Sequence, residues 1–170
     1  MLAPVAATRL KANGRAFEHI ARFHPDLTAL RRDLHAHPEL GFEEFYTASR
    51  VKEALKLCGV DEVHEGIGKT GVVGIIKGRQ STPGRMVGLR ADMDALPMAE
   101  LNEFEWKSAK PGLMHGCGHD GHTAMLLGAA RYLAAIATAA VLCALAGGMI
   151  CCGVNAALDR IGVYSDGSPN

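Results

Sequence analysis

The densest group of reactive side chains is Met114-His115-Gly116-Cys117-Gly118-His119-Asp120-Gly121-His122, where a thiol, three imidazoles and a carboxylate fall within eight positions. Thiolate sulfur and neutral imidazole nitrogen are the donors that hold zinc and related divalent cations. Cys117 and His119 stand two apart, so in an extended loop both side chains point the same way and can close on one ion. Glycines at 116, 118 and 121 let the backbone approach closely. Asp120 is placed to orient an imidazole from behind, fixing its tautomer and raising its basicity. The competing reading is a histidine cluster that caps a helix or satisfies core hydrogen bonds, and spacing alone does not separate the two. Cys117 and His119 cannot hold zinc by themselves, because such sites use three or four protein ligands. Further donors must come from elsewhere.

A second candidate group, Arg90-Ala91-Asp92-Met93-Asp94-Ala95-Leu96-Pro97, comes straight after a predicted strand. In an open α/β sheet, ligands gather at the carboxyl ends of strands. The plainer alternative is a solvated loop whose carboxylates pair with Arg90. Gly66-Ile67-Gly68-Lys69-Thr70-Gly71 matches the dinucleotide fingerprint letter by letter, yet it leads into a strand where that motif must open a helix. A turn is the better reading. Nor is it a phosphate loop, since position 63 is Val where glycine is required.

These groups need elements to place them. Phe17, Ile20, Phe23, Leu27, Leu30 and Leu34 recur at three- and four-residue steps, which predicts two short helices between Arg15 and His35 broken at Pro25-Asp26, with Pro38 ending the second. Another helix is expected from Glu43 to Leu57, with Phe45, Val51, Leu55 and Leu57 on its apolar side and Gly59 beyond its end. Val72 to Ile76 and Met86 to Leu89 read as neighbouring strands of a buried sheet, and His122 to Leu133 as a helix packed on it. The fold class implied is α/β.

Bulk properties bound the function. A chain of 170 residues suffices for one domain with a real core, and 18 basic residues balance 18 acidic ones, so no field favours nucleic acid as a partner. Cys58, Cys117, Cys143, Cys151 and Cys152 form an odd count without scaffold spacing, and no secretory leader opens the chain; a cytoplasmic setting is expected. Cys151-Cys152 reads as two small buried hydrophobes rather than a redox pair.

Three segments stand in a recognisable order: Leu30-Arg31-Arg32-Asp33-Leu34-His35-Ala36-His37-Pro38-Glu39-Leu40, then Gly88 to Met98, then the His/Cys loop. Together they resemble the hippurate-hydrolase, indole-acetyl-amino-acid-hydrolase and amino-acylase branch of the metallo-carboxypeptidase superfamily, over roughly residues 21–133. The resemblance implies the N-terminal part of a zinc-peptidase-like catalytic domain, a mixed sheet flanked by helices. It makes Cys117 and His119 ligands of a two-metal cluster of manganese or zinc, with Asp94 and Asp120 supporting and with Asp92 and His122 as further candidates. His35 and His37 carry family marks without a ligand role. The implied substrates are N-acyl amino acids, split at the amide bond, and the intact proteins are often homo-oligomers. Two cations would lower the pKa of a bridging water and polarise the amide oxygen, while a glutamate moves the proton. Here the sequence departs from the family. A Glu-Glu pair should follow the His/Cys loop, but the last glutamate is Glu105 and the last histidine is His122. The chain is therefore expected to be incomplete and catalytically incompetent.

Residues 1–14 read as a flexible terminus, 15–135 as the partial catalytic domain and 136–170 as an apolar tail unlike the family. No charged residue lies between Arg131 and Asp159, and Ala, Gly and Cys dominate. An out-of-frame or truncated coding sequence explains this bias best. The rival is a membrane span over 132–158, long enough to cross a bilayer but poor in anchoring residues.

Overall fold

The structure, a computed structural model, describes residues 16–78, 86–136 and 140–146. Helix α1 covers Ala16–Ala21 and α2 covers His24–Ala36. The break falls at Arg22-Phe23, just before the expected Pro25-Asp26. Pro25 instead sits in the first turn of α2, where its missing N–H costs nothing. The backbone N–H of His37 closes the end of α2 on the Leu34 carbonyl at 3.1 Å, and Pro38 prevents continuation.

Helix α3, Phe45–Cys58, lacks a cap from its own first residue. Glu39 supplies one from the preceding loop: its Oε1 accepts from the Tyr46 N–H at 3.1 Å and its Oε2 from the Thr47 N–H at 2.9 Å. The buried face is Thr47, Val51, Ala54, Leu55 and Cys58. Phe45 and Leu57, expected on that face, lie off it, and Phe45 is exposed. Gly59, at φ +75°, stops the helix in the left-handed conformation that glycine adopts without a Cβ penalty.

Strands β1 (Glu62–Ile67), β2 (Gly71–Ile76), β3 (Met86–Asp92) and β4 (Ala140–Ala146) form one sheet in the order β1-β2-β4-β3. β1 and β2 are an antiparallel hairpin whose turn is the Gly66-to-Gly71 stretch, so the fingerprint letters open no helix. Two expectations are corrected. β2 and β3 are not neighbours, because β4 lies between them, antiparallel to β2 and parallel to β3. The run 140–146, assigned from sequence to a tail apart from the domain, is a strand paired on both edges. An uncharged run suits that position, since flanked strands carry few charges. β1, with its polar Glu62, His64 and Glu65, had no apolar pattern to announce it.

Helix α4, His119–Ile136, links β3 to β4 and makes the crossover that a parallel pair requires. Its Leu126, Leu127 and Ala130 meet Leu30 and Leu34 of α2, Val51 and Leu55 of α3, and Val72 and Ile76 of β2 in one core. At Gly128 a Cβ would come within 2.7 Å of Leu27 Cδ1, so glycine allows α2 and α4 to touch. Arg131 Nη1 and Asp26 Oδ2 pair at 2.9 Å across the same contact. Of the proposed span 132–158, the described part is the end of α4 and then β4, and no described helix is long and apolar enough to cross a membrane. Cys151-Cys152 and the rest of the tail past Ala146 lie outside the described residues.

Candidate metal centre

The crossover sets the His/Cys loop between the carboxyl end of β3 and the amino end of α4. Leu96 and Met114 pair antiparallel through two hydrogen bonds, Leu96 N–H to the Met114 carbonyl at 2.9 Å and Met114 N–H to the Leu96 carbonyl at 3.1 Å. This bridge brings the segment after β3 against the segment before α4. Gly118 takes φ +76°, a region costly for side-chain-bearing residues, and so allows the sharp entry into α4. A Cβ at Gly116 would lie 2.7 Å from Met98 Sδ, whereas one at Gly121 would meet nothing within 4 Å.

Across the bridge, His119 Nδ1 lies 2.9 Å from the Asp94 carbonyl oxygen and 3.0 Å from Asp94 Oδ1. Both partners are acceptors, so Nδ1 carries the proton and donates. Nε2 has no partner among the described residues. A ring fixed in this way by a carboxylate and a carbonyl is the arrangement found behind metal-binding imidazoles. Cys117 is a free, exposed thiol. His122, in the first turn of α4, is exposed, with its ring 5.4 Å from that of His119. These residues offer donors suited to a divalent cation, but no group of three or more His, Cys, Asp or Glu gathers closely enough to hold an ion among the described residues.

The other candidates fall elsewhere. Asp92 ends β3 with Oδ1 2.8 Å from Arg90 Nη2, the plainer pairing weighed above, and its carbonyl accepts from Thr123 Oγ1 at 3.1 Å. Asp120 does not orient His119. It is fully buried, and its Oδ2 accepts at 2.7 Å from both Arg31 Nε and His35 Nδ1 on α2. A helix shows successive residues on different faces, so neighbours in sequence serve different partners. The far nitrogen of His35 reaches Glu100 Oε1 at 3.0 Å.

Two polar groups, Glu44 and Glu100, escaped the sequence reading, and His115, counted there among the loop imidazoles, was given no role of its own. Glu44 is fully buried behind this region, with Oε2 accepting from Thr70 Oγ1 at 2.6 Å and Oε1 unpartnered. Burial, reinforced by the negative charge of Asp94, raises its pKa against the Thr70 hydrogen bond. Nothing in Glu43-Glu44 distinguished it from a solvated helix start. His115 is buried with both ring nitrogens unpartnered; desolvation lowers its pKa, and the neighbouring His35 and His119 act in the same direction. Glu100 loses stability as an anion through burial, but the Ser108 N–H, the Asn102 amide and His35 overcome this and hold it at about 2.

A sequence model described as "Peptidase family M20/M25/M40" matches residues 88–143, from β3 through the His/Cys loop and α4 into β4. The hippurate hydrolase of Campylobacter jejuni is 54% identical over 105 residues, 62% of this chain and 27% of that protein. The N-acyl-L-amino acid amidohydrolase of Geobacillus stearothermophilus is 56% identical over 106 residues, 62% of this chain and 28% of its own length. The Bacillus subtilis YXEP protein, described as a dinuclear metal binding peptidase from the M20 family, superposes with TM-score 0.73 at 35% identity, over 85% of this chain and 41% of that one. Residues 88–143 are thus similar to the M20 family, and the fold is shared with part of the Bacillus subtilis M20 peptidase. The matched segment spans little more than a quarter of the length of these two curated relatives. The family match also continues to residue 143, across the boundary drawn at 135 from sequence.

Proposed function

We propose that this M20 segment carries one part of the active site of a metal-dependent amidohydrolase acting on N-acyl amino acids of the hippurate type. The observation that carries it is the His119–Asp94 arrangement beside the free thiol of Cys117. Cys117 and His119 would hold a divalent cation, manganese or zinc, and Asp94 would fix the His119 tautomer so that Nε2 faces the ion. When bound, two such cations supply a water of lowered pKa and a polarised amide oxygen. Names and titles of the relatives, a hippurate hydrolase, an amidohydrolase and a dinuclear metal-binding peptidase, support this reading.

Two donors make a weak site, because zinc uses three or four protein ligands. No glutamate or histidine follows His122 to complete the shell or to move the proton. The 170-residue chain by itself therefore binds metal partially and does not turn over. The test is hippurate hydrolysis by the purified chain with added manganese or zinc, beside metal content and a Cys117→Ala control. The expected result is metal bound by the wild type, less by the variant, and no hydrolysis by either. Hydrolysis lost in the variant would show that this chain holds a proton-transfer group outside the set named here. Equal metal content in both proteins would remove Cys117 from the site.

A further inference from the structure

His35 lies between two carboxylates, with Nδ1 2.7 Å from Asp120 Oδ2 and Nε2 3.0 Å from Glu100 Oε1. Asp120 Oδ2 also accepts from Arg31 Nε at 2.7 Å, and Arg31 Nη2 lies 3.3 Å from His35 Nδ1. Glu100 accepts from the Ser108 N–H at 2.6 Å and from the Asn102 amide at 2.9 Å. Arg31, His35, Asp120 and Glu100 thus meet in one hydrogen-bonded cluster. All but Arg31 are almost wholly shielded, with side-chain exposures of 4% for His35, 1% for Asp120 and 3% for Glu100.

What this cluster joins gives it a role. Glu100 belongs to the excursion 97–113, whose two ends are tied by the Leu96–Met114 bridge that sets Asp94 against His119. Asp120 belongs to the first turn of α4, next to His119. The excursion is fastened to α2 at three further points: the Ala109 N–H donates to the Ala36 carbonyl at 2.9 Å, the Arg32 guanidinium lies 3.7 Å from the Trp106 ring centre, and Phe104 packs against the His35 ring. Among the described residues, His35 is the side chain that bonds both the excursion and the helix start.

We propose that His35 is a positioning residue for the metal loop: as a strut between Glu100 and Asp120, it holds the 97–113 excursion and the first turn of α4 in the register that presents Cys117 and His119. The inference rests on the metal reading above for its consequence, while the strut itself can be measured without metal.

The experiment titrates zinc alone into the full chain and into His35→Gln, Glu100→Gln and the double variant, with hydrogen exchange read over 97–122. Residues that orient metal ligands from behind commonly contribute ten- to hundredfold to affinity, so each single variant should weaken zinc about tenfold. The double variant should lose no more than the weaker single, because both cut one strut. A role limited to stability would lower the melting temperature and leave the affinity of the folded protein unchanged, which would overturn the proposal; so would additive losses. If His35→Gln fails to fold, Glu100→Gln, which keeps an acceptor for Ser108, carries the comparison. If the wild type takes up no zinc, the metal reading falls by itself. Faster exchange over 97–110 in the variants then upholds the strut, and unchanged exchange sinks it.

Discussion

The chain contains two buried or half-buried aspartate–histidine pairs that use adjacent residues of the same helix turn and reach opposite ends. In Asp94–His119 the side chains are 20% and 18% exposed, one imidazole nitrogen is spent on orientation, and the other has no partner among the described residues. In Asp120–His35 the side chains are 1% and 4% exposed and both imidazole nitrogens are consumed. The chemistry of the pair is the same in both. Burial and the fate of the second nitrogen separate an imidazole that can take a ligand from one that can only hold structure.

Removing the buried carboxylate should have the largest effect. Asp120→Ala leaves the buried His35 ring without its Nδ1 partner and strips Arg31 of its carboxylate inside the protein. Breaking a buried pair on one side costs about 3 kcal/mol or more. Asp94→Ala breaks a partly solvated pair and should cost under about 1 kcal/mol. Urea denaturation of the two variants measures the gap, and equal costs would dissolve the distinction.

Metal affinity should close the gap that stability opens, because both pairs bear on the metal loop. Asp94→Asn keeps the shape but no longer offers a carboxylate to His119 Nδ1, and zinc should bind about tenfold more weakly, equivalent to about 1.4 kcal/mol. Isothermal titration of the variant decides this, and unchanged affinity would remove Asp94 from the site.

Behind the open pair, Glu44 gives a smaller effect with a definite sign. Its folded-state pKa is raised above 4.5, chiefly by burial. The folded chain therefore holds this proton more tightly than the unfolded chain does. The stabilising contribution is complete below 4.5 and is lost as pH rises through the raised value. Glu44→Gln has no charge to bury and keeps an acceptor for Thr70, so it should melt above the wild type at pH 8, with the difference closing toward pH 4. A difference that widens on acidification would show that the charged form is the favoured one.

Legibility from sequence followed how local each signal is. The paired helices α1 and α2, helix α3 and the length of β2 follow from apolar spacing, and the His/Cys loop from the density of donors. β4 was obscured because an uncharged Ala-rich run has no period of its own, and only pairing with β2 and β3 reveals it as a strand. Its insertion also explains why β2 and β3, successive apolar runs in sequence, are not neighbours. Asp120 was expected to orient an imidazole, and the helix turns it toward that of His35 on α2 rather than one of its own loop. Contacts between residues 85 positions apart, such as His35 with Asp120, leave no local pattern to read.

A third aspartate–histidine contact marks the lower end of the comparison. His37 Nδ1 lies 3.4 Å from Asp33 Oδ1, with side-chain exposures of 45% and 27%. The same nitrogen is 2.8 Å from the Asp33 carbonyl oxygen, a backbone acceptor that already occupies its proton. Asp33 is meanwhile held by the Tyr46 hydroxyl at 2.8 Å and by Arg50 Nε at 2.9 Å, so it does not depend on the histidine for neutralisation. Water screens what attraction remains. His37→Gln should therefore change stability by no more than about 0.5 kcal/mol and leave zinc affinity unaltered. If it cost as much as Asp120→Ala, exposure would not be what ranks these pairs, and the ring contact of His37 with Tyr46, at 4.7 Å between centroids, would have to carry the difference.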